Sequence, residues 1–259
     1  MEFNERTPFN SYLIGLLQTD GNIYETTRNR GRITLELSEK DSDIIEKINN
    51  IIPEYSKIYR RTRNTNFKQN SQSISLKIFD MEMRNHLKKF IPVGNKNKTI
   101  NIPDNIIEID YWRGIIDGDG SLGLTSKNIP FISLVTKSSD LAISFINFIK
   151  NITGVIKTST PNKRDDIYNI MLTKELAQCL VKTLYYDNCI CIDRKKEKAV
   201  IVLSWNRPDN MKKITWNKKR WNNDEDDYIL THSIEDSITS LNRNENSIKI
   251  RLSRLNQIH

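Results

Sequence analysis

The chain is poor in everything that would staple it, anchor it or export it. Its 259 residues include only three cysteines, Cys179, Cys189 and Cys191. An odd count with a single C-x-C excludes a disulfide framework, and no second Cys or His pair stands at zinc-finger spacing. Free thiols in a reducing compartment are expected. No apolar run approaches the roughly 18 residues of a spanning helix, so no membrane insertion is expected. The N-terminal MEFNERTPFN lacks the apolar core of a secretory signal, so an intracellular setting is expected. Charge is what the chain has in quantity. Lys and Arg number 40 against 32 Asp and Glu, a formal net charge of +8. That balance favours an anionic partner. The cations are spread along the chain rather than gathered on one amphipathic helix, which favours nucleic acid over a membrane surface.

The chain also says nearly the same thing twice. Residues 12–21 read YLIGLLQTDG and residues 111–120 read YWRGIIDGDG. Each is an apolar run with an internal glycine, Gly15 or Gly114, closed by Asp-Gly at Asp20-Gly21 or Asp119-Gly120. An internal repeat fixes architecture ahead of any local reading. The first half predicts a helix from Pro8 to Leu17, capped at Asn10 or Ser11. NIYETT, a turn at RNRG and the alternating RITLELS then predict a hairpin. Ile44, Ile45, Ile48, Ile51 and Ile52 fall at helical spacing between Asp41 and Ile52. SKIYRRTR and QSISLKIFD predict a second hairpin, and MEMRNHLKKFI a closing helix. The second half predicts a helix over 111–117, strands near 121–125 and 130–137, and a helix over 139–151. Strands over 155–160 and 167–173 follow, then helices over 174–185 and from Arg194. The order αββαββα, twice, predicts an α+β fold with two four-stranded antiparallel sheets.

Alternation assigns the faces. Ile33, Leu35 and Leu37 point one way and Arg32, Thr34 and Glu36 the other. Ile74, Leu76 and Ile78 oppose Ser73, Ser75 and Lys77, while Lys57, Tyr59, Arg61 and Arg63 share a face. The polar face therefore carries groups that donate to phosphates and base edges. Arg28 and Arg30 in the first turn, and Lys157 in the second half, extend the candidate set.

A glycine inside an apolar helix costs roughly 1 kcal/mol relative to alanine, which is worthwhile where two helices must approach closely. Gly15 and Gly114 would allow such a crossing. Two carboxylates at the negative ends of those helices would make a cation site. The two segments resemble the LAGLIDADG signature of homing endonucleases, and the element order extends the resemblance over residues 8–204. The resemblance implies a pseudo-twofold saddle of sheets that binds a long asymmetric duplex and cuts both strands with short 3′ overhangs. It implies that Asp20 and Asp119 hold Mg²⁺, or another divalent cation such as Mn²⁺, as catalytic residues. It also implies a lysine near the scissile phosphates late in each half. GNKNKTINIP offers Lys96 and Lys98, and IDRKKEKAV offers Lys195, Lys196 and Lys198; Lys98 and Lys195 are favoured. Gln18 departs from the signature where Asp117 keeps it. The divergence of the halves favours a monomer with both half-sites in one chain. An RNA maturase on the same fold is the alternative, and a DNA-binding regulator without cleavage is a third reading. No protein-splicing residues are evident, so a free-standing or intron-encoded protein is expected.

The repeats are expected over 1–104 and 105–204. WNRPDNMKKITWNKKR (205–220) is expected to be a basic linker. Residues 221–259 resemble a Myb/SANT-like helix-turn-helix, a small all-α module. Its expected core is Trp221, Ile229, Leu230, Ile234, Ile238, Leu241, Ile248, Leu252 and Leu255. Lys249, Arg251 and Arg254 would face a major groove. The acidic run Asp224–Asp227 suits the first turn of a helix.

Overall fold

The computed structural model describes residues 3–28, 30–64, 69–91, 100, 102–211 and 221–255, apart from the Pro53 side chain. The chain forms two compact units, Met1–Arg207 and Pro208–His259. Among the described residues no helix is long and apolar enough to cross a membrane.

The first unit begins with α1 (Pro8–Asp20), which starts where the sequence predicts and runs three residues further. Pro8 at the first helical position has its φ preset and lacks an N–H that would need a partner. The cap is therefore Thr7, whose hydroxyl accepts the Asn10 N–H at 3.1 Å, rather than Asn10 or Ser11. Ser11 is buried instead, donating to Glu5 O at 2.7 Å and accepting the Ile107 N–H at 2.9 Å. It thereby ties the entry of the second motif helix to the first. Strands β1 (Gly21–Glu25), β2 (Gly31–Ser38), β3 (Ser56–Arg63) and β4 (Ser71–Ile78) form one sheet in the order β1-β2-β4-β3, every neighbour antiparallel. Helices α2 (Ser42–Ile51) and α3 (Met81–Leu87) join α1 on its apolar face. Ile33, Leu35, Leu37, Ile74, Leu76 and Ile78 are buried there with Ile44, Ile45 and Ile48 of α2. Ile51 is exposed, and the helix stops there because Pro53 disfavours helical geometry in the residue before it.

The second half repeats this start in register. Helix α4 (Glu108–Gly118) leads into β5 (Gly120–Leu124) and β6 (Pro130–Thr136). Gly21 pairs with Leu35 and Ile23 with Ile33; 99 positions later Gly120 pairs with Leu134 and Leu122 with Ile132. Helix α5 (Ser139–Thr153) follows, and Phe145 and Phe148 pack against Trp112 of α4. The expected strand over 155–160 does not form, and the second sheet has three strands, β5-β6-β7, with β7 at Tyr168–Thr173. The Ser159 hydroxyl reaches Asn169 O of β7 at 3.5 Å, and just beyond the segment the Asn162 N–H donates to Ile167 O at 2.9 Å. Pro161 has no N–H to extend a ladder, and Ile156 stays exposed. Helices α6 (Glu175–Leu184) and α7 (Asp193–Leu203) close the unit. The boundary falls beyond Trp205. The Gln178 amide donates to Trp205 O at 2.7 Å, and Arg207 makes a two-bond pair with Glu175 at 2.6 Å.

Among the described residues the second unit holds three helices, α8 (Asn223–Thr231), α9 (Ile234–Leu241) and α10 (Glu245–Leu255). A reciprocal cap between Asn222 and Glu225 starts α8, with Asp224, Glu225 and Asp226 in its first turn as the dipole favours. Ile229 and Ile248 are its buried apolar residues among those described; Leu230, expected inside, is exposed because Glu225 and Ile229 define the inner stripe of α8.

Candidate active site

The two motif helices cross where their glycines meet. A Cβ on Gly15 would run into Tyr111 O and lie 3.1 Å from Ile115 N; one on Gly114 would run into Tyr12 O and lie 2.8 Å from Leu16 N. The obstruction is reciprocal and made of backbone, so the seam is pseudo-twofold. Two hydrogen bonds cross it in the same sense. Tyr12 donates to Asp117 Oδ2 at 2.8 Å, and Tyr111 donates to Gln18 Oε1 at 2.6 Å. The position at which the repeats differ is thus an acceptor for the partner helix's tyrosine. The repeated Tyr with a polar residue six positions on was the sequence signal for this pairing. Asp117 is fully enclosed. Burial pushes its carboxyl above the ordinary aspartate value, against donation from Tyr185 (2.7 Å), the Ile192 N–H (2.9 Å) and Tyr12. Its oxygens are occupied by protein.

Asp20 and Asp119 are placed differently. Asp20 ends α1 half-buried, and Asp119 caps α4 exposed, its N–H on Ile115 O at 3.0 Å. Gly118 brings them together. A Cβ there would lie 2.7 Å from Asp20 Oδ2 and would collide with Thr19 Oγ1. Only a residue without a side chain lets the Asp20 carboxylate pack against the backbone next to Asp119. The Thr19 hydroxyl lies 2.7 Å from Leu16 O and 3.1 Å from Asp20 Oδ2, which limits where that carboxylate can turn. Hard carboxylate oxygens at two negative helix ends fit a divalent cation. No group of three or more His, Cys, Asp or Glu that could hold a metal occurs among the described residues. A cation held here would complete its shell with water and substrate oxygens, as Mg²⁺ does at phosphate sites.

Lys195 lies against the turn that carries Asp119. It is 5% exposed and donates to Ile116 O at 3.0 Å and Gly120 O at 2.5 Å, bracketing Asp119. Burial lowers its pKa to about 8. Its ammonium is turned inward onto carbonyls, so the position suits holding the Asp119 turn. Lys196 is exposed and Lys198 half-exposed. Lys96 and Lys98 lie outside the described residues. Because the folded pKa of Lys195 is depressed, the unfolded chain binds more protons between about pH 8 and 10. Stability should therefore rise across that window by about 2 kcal/mol. Above it, unfolded-state tyrosines ionise while buried Tyr12, Tyr111 and Tyr185 resist, and the slope reverses. Urea unfolding at pH 7.5 and 9.5 checks this; Lys195→Met should flatten the rise.

The sheet faces flank the pair, since β1 and β5 begin one residue after Asp20 and Asp119. On the first sheet Lys57 pairs with Lys77, Tyr59 with Ser75, Arg61 with Ser73 and Arg63 with Ser71, so the expected face exists. Lys77 sits 3.9 Å over the Tyr59 ring and Arg32 4.8 Å over Tyr24. Ser73 donates to Glu36 at 2.8 Å. Arg28 and Arg30 are exposed in the hairpin turn, Arg28 at φ 66°. Lys157 is half-buried in the segment that forms no strand.

No protein-family model matches the sequence. No curated protein matches it. Among solved structures the chain is similar to the homing endonuclease I-WcaI bound to its DNA recognition sequence. The TM-score is 0.56 and the identity 19%, over 76% of this chain and 87% of that one. It is also similar to mesophilic variants of the homing endonuclease I-DmoI, with TM-score 0.50 and 14% identity over 73% and 95% of the two chains. The fold is that of the LAGLIDADG endonucleases.

On this LAGLIDADG fold, sequence reasoning missed a buried support under the motif helices. Arg113 is fully enclosed. It pairs with Asp110 and donates to Ile190 O at 2.7 Å and Leu184 O at 3.0 Å, pinning the segment that delivers Tyr185 and Ile192 to Asp117. In the second unit the expected DNA-facing trio divides. Arg251 turns inward to a two-bond pair with Asp226, its Nε at 2.7 Å, because it shares the face of α10 that buries Ile248. Lys249 is exposed and pairs with Glu245 at 2.6 Å, and Arg254 is exposed.

Proposed function

We propose that this chain is a site-specific DNA endonuclease of the homing type, a monomer that carries both halves of its site and cuts both strands of an asymmetric duplex. The observation that carries the reading is the packing of the Asp20 carboxylate against Gly118, beside Asp119, at the foot of two sheet faces of which one is strongly basic. Asp20 and Asp119 would hold a divalent cation, Mg²⁺ or Mn²⁺. When bound, it would supply a Lewis acid and a more acidic water for attack on phosphorus. The protein's own part is to fix the two carboxylates. The glycine seam sets the helix ends, the Tyr12 and Tyr111 bonds lock their rotation, and Lys195 holds the Asp119 turn. Lys57, Arg61, Arg63 and Lys77 would neutralise phosphates and orient the duplex over the carboxylates.

Cleavage of a randomised duplex library in Mg²⁺ tests the proposal. Recovery of a defined cut site with breaks in both strands supports it. Binding of structured RNA with no duplex cut under any metal points to the maturase, and duplex binding without cutting to the regulator. Affinity for the recovered site should fall steeply with salt, since each neutralised phosphate contributes about −0.9 to the slope of log K against log salt. An extended groove should give about ten such contacts, and a slope shallower than about −3 would contradict it.

The second unit is proposed to lengthen the site. A chain ended at Arg207 keeps the Glu175 pair and every residue of the site above. It should melt within a few degrees of the full protein, cut the same bonds, bind more weakly and show a shorter footprint. An unchanged footprint would remove the second unit from DNA recognition.

A further inference from the structure

The two sheets do not present the same chemistry outward. The repeat keeps its offset of 99 through the first hairpin, so outward positions can be compared one to one. Arg32 of β2 becomes Phe131 of β6, and Glu36 becomes Val135. On the first sheet that face carries Arg32, Lys57, Arg61, Arg63 and Lys77. On the second sheet it carries Ser121, Ser133 and Met171 in one row, Gly123, Phe131 and Thr173 in the next, and Val135 opposite Asn169. Among the described residues, none of these strand positions is charged. Val135 on the central strand is 45% exposed and Met171 on the edge strand β7 is 38% exposed, so this face leaves apolar side chains open to solvent.

Ser121, Ser133, Asn169 and Thr173 can donate to phosphate oxygens, but without a cation the face neutralises no phosphate charge. What it can gain from duplex DNA lies in the major groove, where thymine shows a C5-methyl group and adenine a donor–acceptor pair suited to an asparagine amide. Val135 beside Asn169 matches an A·T pair in both respects, and Met171 and Phe131 add apolar surface diagonally across the strands. We infer that the outward face of β5-β6-β7 reads thymine methyl groups. The cognate duplex then has an A·T-rich half over the second sheet and a half held mainly through phosphates over the first. The inference rests on the proposal that the chain binds duplex DNA, and it adds which half of the substrate is read and by what contact.

The experiment selects bound duplexes from a random pool with the full chain, then replaces thymine by deoxyuridine in one half of the recovered site at a time. Each lost methyl contact should weaken binding about fourfold, the equivalent of one apolar carbon left unburied, so one half should lose tenfold or more. The other half should change less than about twofold. Val135→Ser with Met171→Ser should abolish the difference between thymine and uracil. Lys57→Ala should weaken both substrates equally. Equal uracil sensitivity in the two halves, or none in either, overturns the inference while leaving duplex binding intact. The same holds if the double serine variant instead shifts the oligomeric state in sedimentation, since the face would then cover a protein. If no duplex is enriched, the parent proposal falls and this one with it.

Discussion

Gly15→Ala and Gly114→Ala should each destabilise the first unit by about 3 kcal/mol, although alanine is the better helix former by about 1 kcal/mol. The sign is decided by what the new methyl meets. At Gly15 it is the Tyr111 carbonyl, and at Gly114 the Tyr12 carbonyl and the Leu16 amide nitrogen. A side chain could rotate away, but a helix backbone cannot, so the two helices must separate along their whole seam. Separation also stretches the Tyr12–Asp117 and Tyr111–Gln18 bonds. Each is worth about 1 kcal/mol, and more at Asp117, where a buried carboxylate would be left short of a donor. For a unit of this size the loss corresponds to a melting point lower by about 6–12 °C. Gly154 is the control. It caps α5 at φ 69° with nothing within 4 Å of a Cβ, so alanine there should cost only about 1 kcal/mol of backbone strain. Urea unfolding of the three variants settles the comparison. If Gly15→Ala matches wild type within about 0.5 kcal/mol, the close crossing is wrong.

How far the sequence could be read follows from which signals are local. Alternation in RITLELS and QSISLKIFD is local, and the faces it assigns are those the register produces. The repeat of Asp-Gly after an apolar helix is also local, and it led to Asp20 and Asp119. The segment 155–160 alternates equally well, yet forms no strand, because pairing is a property of two segments and Pro161 removes a donor at the point of contact. The inward turn of Arg251 was hidden for the same kind of reason. A basic residue near the end of a basic helix reads as exposed until the helix phase is fixed by Ile248, and Asp226 is supplied from another helix. Asp117 is a case where the signature match alone does not reveal the role. It matches the signature residue by residue, but Tyr12, Tyr185 and the Ile192 amide, all distant in sequence, make it a buried acceptor.

That contrast gives the sharpest test of the chemistry, because three carboxylates of one repeated motif should respond differently to the same substitution. Asp20→Asn and Asp119→Asn keep the size of the side chain and remove its charge. If the two carboxylates hold the cation, each change should lower double-strand cleavage by about 10³-fold or more, a barrier increase of about 4 kcal/mol. Duplex affinity should hold or rise slightly, since a negative charge facing phosphates is lost. Thermal stability should change little, as Asp119 is exposed and Asp20 half-exposed. Asp117→Asn should do the reverse. Its amide nitrogen would face either the Tyr12 hydroxyl and the Ile192 N–H at the Oδ2 position or the Tyr185 hydroxyl at the Oδ1 position, all of which now donate to Asp117. A buried acceptor turned partly into a donor should cost about 2–3 kcal/mol of stability, while cleavage by the folded fraction at low temperature persists. The measurements are plasmid linearisation in Mg²⁺, filter binding in Ca²⁺ and a melting curve for each variant. Near wild-type linearisation by Asp20→Asn or Asp119→Asn would remove that residue from the site. Loss of cleavage in a fully folded Asp117→Asn protein would move the chemistry to the buried carboxylate that the hydrogen bonds now assign to the scaffold.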